Sequence, residues 1–209
     1  MDAKEKMWAE IRPTGRSAEE YFKHLDISLE FLKGKKILDI GSGLNQFAKD
    51  LRKYNLNLVS IDTFYALTPE QREEVFEELN PQNFKIVKKD LDRITKNKKD
   101  SQLVGGLAES LPFADESFDI VLAEFSLPNH AESFNQVRDF FFEIARVLKS
   151  KGEARIYPMR FRKIYELGPD IQQKTEGALN ELREKGLNLE IVGDGLLIVD
   201  RAPTFQVGS

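Results

Sequence analysis

Between Lys35 and Leu51 the chain passes from an apolar run through an acid and two closely spaced glycines into an apolar-periodic segment, an order that few folds accommodate. Ile37, Leu38 and Ile40 suit a strand covered on both faces, as the central strands of a parallel sheet are. Gly41 and Gly43 can adopt positive φ and let another group approach the backbone closely. Gln46-Phe47-Ala48-Lys49-Asp50-Leu51 reads as a helix whose first amides face that turn. Strand, glycine turn and helix start together predict a nucleotide-type pocket in an α/β protein.

Asp39 narrows the kind of nucleotide. A dinucleotide fingerprint runs G-x-G-x-x-G, with its acid about 20 residues further on. Here the sixth position is Gln46, and an acid two residues before the first glycine would repel a pyrophosphate. It suits a ligand carrying a positive amine. Leu58-Val59-Ser60-Ile61-Asp62 is a second apolar strand ending in an acid, where one carboxylate can accept from two ribose hydroxyls. Asp39-x-Gly41-x-Gly43 resembles the first motif of the class I S-adenosylmethionine-dependent methyltransferase superfamily.

Two further stretches carry the same resemblance. Ala108-Glu109-Ser110-Leu111-Pro112-Phe113-Ala114-Asp115-Glu116-Ser117-Phe118-Asp119-Ile120-Val121 is similar to the "D-A-E-x-L-P-F-x-x-x-S-F-D-x-V" stretch of the small single-domain, methyltransferase-11-like members. Glu143-Ile144-Ala145-Arg146-Val147-Leu148-Lys149-Ser150-Lys151-Gly152 resembles their "E-x-x-R-V-L-K-P-G-G" signature. The resemblance implies a Rossmann-like class I methyltransferase sandwich, with a mostly parallel seven-stranded sheet ending in an antiparallel hairpin. It also implies S-adenosyl-L-methionine as cofactor, held around Asp39, Gly41, Ser42, Gly43, Asn45, Asp62, Thr63, Leu107, Ala108, Glu109 and Glu124.

Three positions depart from the family pattern. Asn45 stands where many members have a third glycine, and Asn tolerates left-handed geometry better than most residues. Leu107 aligns with an Asp that would accept from the adenine amino group, leaving that role to Glu109, a main-chain carbonyl or apolar packing. Ser126-Leu127-Pro128-Asn129 lacks the D/N-P-P-Y pattern that accepts an exocyclic amine, which argues against methylation of nucleic-acid bases or glutamine.

The rest of the chain is compatible with one domain over residues 1–209, divided into an N-terminal helical cap (1–34) and a Rossmann-like core (35–209). Ser17-Ala18-Glu19-Glu20 has the capping-box pattern and opens a helix through Tyr21, Phe22, Leu25, Leu29 and Leu32 to Gly34, as a lid over the cofactor or a cover for the sheet. Thr68-Pro69 starts another helix, to about Leu79. Phe84, Val87, Leu91 and Ile94 share one helical face, so this stretch is read as helix although Phe84-Lys85-Ile86-Val87 could pass for a strand. Lys96–Asp100 is read as a polar loop and Gln102–Gly105 as the third strand; the fourth enters at Phe118 and Glu153–Tyr157 is the fifth. A helix over Pro169–Lys185 and a hairpin of Leu187–Val192 with Leu196–Asp200 complete the pattern.

Composition bounds the partners. A formal net charge of −4 gives no reason for nucleic-acid or membrane adhesion, and no apolar run approaches the length of a membrane span. With no cysteine, two histidines and no apolar signal core at the start, the expectation is a cytoplasmic protein without a metal site. Glu73-Glu74 and Glu77-Glu78 read as a solvated helix face. His130, soon after the fourth strand, is the candidate base, whereas His24 reads as a partly buried surface residue. Arg155, Arg160, Arg162 and Lys163 cluster around the fifth strand's exit and either lie at the surface or face an anionic acceptor. The resemblance implies an S-adenosylmethionine-dependent methyltransferase acting on an unidentified small molecule or peptide. The alternative is a non-catalytic protein of the same fold, serving as a cofactor-binding or protein-partner module.

Overall fold

In the computed structural model, which describes residues 14–79, 84–96, 102–127, 130–131, 133–159, 170–193 and 195–201, Ile37-Leu38-Asp39-Ile40 runs through the middle of a sheet. This strand is β1 (Lys36–Ile40), followed by β2 (Asn57–Asp62), β3 (Gln102–Gly105), β4 (Phe118–Glu124), β5 (Leu148–Tyr157), β6 (Leu187–Val192) and β7 (Leu196–Arg201). Their spatial order is β3-β2-β1-β4-β5-β7-β6. The first five pair in parallel, and β7 lies antiparallel between β5 and β6. The fold is the expected mostly parallel sandwich, with its antiparallel hairpin at the end of the sheet.

Alternation along β1 explains why both faces are covered. Leu38 and Ile40 join Val59, Ile61, Val121 and Ala123 on one face, under α6 (Phe134–Val147) and α7 (Asp170–Glu184). Ile37 joins Leu58, Ile120 and Leu122 on the other, under α1 (Ala18–His24), α2 (Leu29–Leu32) and α3 (Gln46–Leu51). A third cluster holds Phe64, Tyr65 and Val75 beside α4 (Pro69–Leu79) and α5 (Phe84–Lys96). Leu91 and Ile94 are buried there, as the helical face predicts. No helix among the described residues is long and apolar enough to cross a membrane.

Two boundaries differ from the sequence reading. The single helix expected from Ser17 to Gly34 is broken into α1 and α2, because Asp26 takes φ 50° and Ser28 caps a new start by accepting from Phe31 N. Arg155 stabilises the break, its Nη1 donating to Leu25 O at 2.9 Å and also to Asp26 O. That placement corrects the expectation for Arg155, whose guanidinium is committed to the N-terminal cap rather than to an acceptor. The fifth strand begins earlier than expected, at Leu148, which pairs with Phe118 before a shift in register. Residues 97–100, Pro169, Arg160, Arg162 and Lys163 lie outside the described residues.

The Glu143–Arg146 pair explains why the two signature stretches occur together. Arg146 donates to Phe113 O at 2.7 Å and Leu111 O at 3.0 Å, and it forks onto Glu143 at 2.7 Å through both Nε and Nη2. Glu143 in turn accepts from Leu111 N at 2.6 Å. One turn of α6 therefore clamps the Leu111-Pro112-Phe113 loop against the sheet. Arg146→Ala should lower stability by about 1.5–3 kcal/mol, the range for hydrogen bonds to charged groups. Arg146→Lys should recover little of that, because an ammonium cannot reproduce the fork. Urea unfolding measures both, and an unchanged midpoint in Arg146→Ala would contradict the clamp.

Candidate functional site

The glycine turn is fixed from every side by the chain itself. Gly41, Gly43 and Asn45 all have positive φ, at 73°, 51° and 55°. Gly41 N donates to Ile61 O at 2.9 Å, and Gly43 N donates to Asp62 Oδ2 at 2.9 Å. Tyr65 Oη donates to Gly43 O at 2.8 Å, while Arg93 Nη2 donates to Leu44 O at 2.6 Å. Ser60 Oγ donates to Asn45 Oδ1 at 2.9 Å, so the asparagine side chain points into the interior rather than into a pocket. Leu44 N donates to Thr14 O at 3.0 Å, which draws the N-terminal segment across the turn.

Those neighbours explain both glycines without a ligand. A Cβ on Gly41 would collide with the side chain of Ser126, and one on Gly43 with the carbonyl oxygen of Thr14. Gly43→Val therefore reports first on the seating of the Thr14 segment, not on cofactor contact.

Around this turn lie polar atoms that the fold leaves unsatisfied. Asp39 is fully buried and accepts from Tyr21 Oη at 2.9 Å through Oδ1 only. Burial pushes its carboxyl up to about 8, the Tyr21 bond opposes that shift, and the nearby Glu124 and Asp62 charges add to it. Glu124 ends β4 beside Gly41, since Ala123 pairs with Ile40. It is buried, its Oε1 lies 2.6 Å from His24 Nδ1, and its Oε2 is 3.9 Å from Arg16 Nε. Burial raises its carboxyl too, with the His24 bond and Arg16 opposing. Among the described residues five buried side-chain atoms lack a hydrogen-bond partner. Four of them, on Arg16, Asp39, Glu124 and Ser126, gather at this turn. Leaving such atoms unpaired costs about 1–3 kcal/mol each, so their concentration marks a place built for a polar partner.

A family model described as a methyltransferase domain matches residues 38–156, more than half of the 209. The chain belongs to the class I S-adenosylmethionine-dependent methyltransferase superfamily. It is 27% identical over 151 residues to YcgJ of Bacillus subtilis, an uncharacterised methyltransferase, covering 71% of this chain and 48% of that one. It is 38% identical over 60 residues to MJ0045 of Methanocaldococcus jannaschii, covering 29% and 27%. The chain thus spans about half the length of YcgJ and about a quarter of MJ0045. Among solved structures, the PH0226 protein of Pyrococcus horikoshii shares the fold at a TM-score of 0.56 and 18% identity, over 95% of this chain and 99% of that one.

Within this methyltransferase frame, Asp39, Gly41, Ser42, Gly43 and Glu124 come together at the carboxyl ends of β1 and β4. Asp62 is close by, accepting from Phe64 N at 2.9 Å as well as from Gly43 N, and burial raises its carboxyl against those two amide bonds. Thr63 is exposed at the start of the short 3-10 turn 63–66. Leu107 is 49% exposed in the tight Leu107–Ser110 turn. Ala108 is half-buried, and Glu109 accepts from Gln136 Nε2 at 3.3 Å. His130 is exposed on the turn after β4.

Sequence reasoning missed the N-terminal contributors. Tyr21, Arg16 and His24 reach the site from the start of the chain, and His24 stacks on Tyr157 with ring centroids 5.0 Å apart. Glu124 lies 100 residues from His24, so no local spacing could have revealed the pair.

The Asp39 carboxyl makes stability depend on pH in a defined direction. The folded protein holds this proton up to about pH 8, whereas an unfolded chain releases it near ~3.9. Stability contributed by the protonated form is full below the unfolded value and is lost as pH rises toward 8. Asp39→Asn removes that slope. Its unfolding free energy minus that of the wild type should grow from pH 5 to pH 8, by at most about 1.4 kcal/mol per pH unit. A pH-independent difference in urea unfolding would show that Asp39 is ionised throughout.

Proposed function

We propose that this protein binds S-adenosylmethionine across the glycine turn and transfers its methyl group to a small molecule or peptide. The observation that carries the reading is the buried, incompletely satisfied Asp39–Glu124 pair at the carboxyl edge of the sheet, where open α/β proteins bind ligands. Two adjacent buried carboxyls favour a cationic partner, and the residues present therefore fit this cofactor. S-adenosylmethionine supplies a methyl group on a positively charged sulfur, open to in-line displacement.

The chain's own task is alignment, which can supply up to about 7–11 kcal/mol of a barrier. Asp62 is the candidate for the ribose hydroxyls, and Leu107 offers an exposed apolar surface for adenine, with Glu109 beside it. Tyr21 keeps its proton, because burial and Asp39 push its hydroxyl up, and so remains a donor to Asp39. Where the acceptor must lose a proton, His24 is the favoured recipient. Its Nδ1 is engaged by Glu124, which orients the ring in the manner of a carboxylate-held general base. That moves the role from His130, whose described position is exposed.

Calorimetry with S-adenosylmethionine, S-adenosylhomocysteine and NAD tests the reading directly. The first two should bind and NAD should not. A cation beside Asp39 also favours its ionised form, so binding of S-adenosylmethionine near pH 7 should release protons and give a buffer-dependent enthalpy. Binding of NAD alone, or of none of the three, would overturn the proposal.

Two substitutions assign roles. Asp62→Ala should weaken cofactor binding by about 1.5–3 kcal/mol, and a 2′,3′-dideoxy analogue should lose affinity in the wild type but not further in the mutant. With an acceptor found by screening for S-adenosylhomocysteine release, His24→Gln should lower turnover about 10²–10⁴-fold at unchanged cofactor affinity. A drop confined to His130→Ala would return the role to His130.

A further inference from the structure

The two edges of the sheet are finished differently. At one edge β3 is four residues long, its Leu103 packs into the third cluster, and the main chain of Ala66 lies against Gly105, where a Cβ would come within 2.6 Å of Ala66 N. β6, at the other edge, has none of these protections. It pairs with β7 through six consecutive residues without a shift in register, contains no proline or lysine, and among the described residues has a strand on one side only. Ile191 is 56% exposed and Val192 39%, although their partners Leu197 and Leu196 on β7 are buried. An edge that is regular, apolar and open offers its free amides and carbonyls to another strand.

The sequence of β6 indicates which strand. Leu187, Leu189 and Ile191 share the face of Leu197 and Val199, while Asn188, Glu190 and Val192 share the face of Leu196 and Ile198. When two copies pair antiparallel about a two-fold axis, opposed residues share a face and the axis falls on one residue, which meets its own copy. Centred on Glu190, the pairing would set two like charges against each other. Centred on Asn188, it would run Ile191 against Lys185, past the start of the strand at Leu187. Centred on Leu189, it sets Leu187 against Ile191 twice, Leu189 against Leu189, and each Glu190 against an Asn188 whose side-chain amide can donate to it.

We propose that β6 pairs in this last register with β6 of a second copy, so that the two sheets become one. The Leu187, Leu189 and Ile191 rows of both copies then form a continuous apolar strip, extending the core that already holds Leu187, Leu197 and Val199. The junction lies four strands from β1, so pairing neither covers the glycine turn nor depends on what binds there.

Sedimentation equilibrium across the micromolar range should show the wild type dimerising. Ile191→Lys should weaken the dimer about 10- to 30-fold, because both symmetric apolar pairs are lost. Asn188→Asp sets like charges opposite each other and should weaken it about 3- to 10-fold, whereas Asn188→Lys should tighten it by a similar factor. Both positions are exposed, and circular dichroism checks the folding of each variant. The chain has no cysteine, so single cysteines report the register. Leu189→Cys should form an intermolecular disulfide under mild oxidation, since opposed Cα atoms stand about 4.5–5.5 Å apart, within disulfide reach. Val192→Cys should not, its copy being offset by roughly six residues, or about 20 Å. A wild type that stays monomeric would overturn the proposal and leave the edge to a strand of a different protein. A dimer indifferent to Ile191→Lys, or one trapped through Val192→Cys and not Leu189→Cys, would overturn it as well.

Discussion

Asp39 cannot reach water, and much of the site follows from that constraint. It lies on a strand with neighbours on both edges and helices over both faces, so its carboxylate has to be accommodated inside. Burial holds it largely protonated and draws a donor toward it, which is Tyr21 from α1. Tyr21 also stacks on Phe47 with centroids 4.1 Å apart, so one side chain joins the N-terminal helix, α3 and the central acid. The helix that carries Tyr21 then brings Arg16 and His24 to Glu124 on the next strand. A single desolvated carboxyl at the end of β1 thus organises polar groups from both ends of the sequence.

The architecture was legible because it is written in local patterns. A continuous apolar run ahead of a glycine turn specifies β1 and the start of α3, a glycine-bearing link between two apolar runs specifies the closing hairpin, and the period of Leu91 and Ile94 identifies α5 against its strand-like start. Asn45 was legible for a related reason, since the left-handed geometry expected of it is what the turn adopts. The break at Asp26 was not, because it depends on Arg155 reaching carbonyls about 130 residues away. Periodicity registers Leu25, Leu29 and Leu32 as one apolar face and is silent about a side chain arriving from β5.

The site divides along the same line. The acids and glycines of the turn are motif residues, adjacent in sequence and therefore readable. The groups that complete them, Arg16, Tyr21, His24, Tyr65 and Arg93, are set by tertiary packing. Nor did sequence reveal that the space beside Gly41 and Gly43 is taken by Ser126 and Thr14. A glycine pattern indicates that something approaches the backbone closely; here the nearest such thing is the chain itself.

The hydrogen bond from Leu44 to Thr14 bears on where this chain can be shortened. Lys35, at the start of the first motif, looks like a natural place to begin a minimal fragment. A chain starting there would retain every motif residue yet lose the donor to Asp39, both neighbours of Glu124 and the Thr14 cover over Gly43. It would also expose the apolar surface of Phe47, Leu51 and Leu58 that α1 and α2 protect. The first helices are thus part of the wall around the glycine turn, and a dissection by motif boundaries would cut through the candidate site.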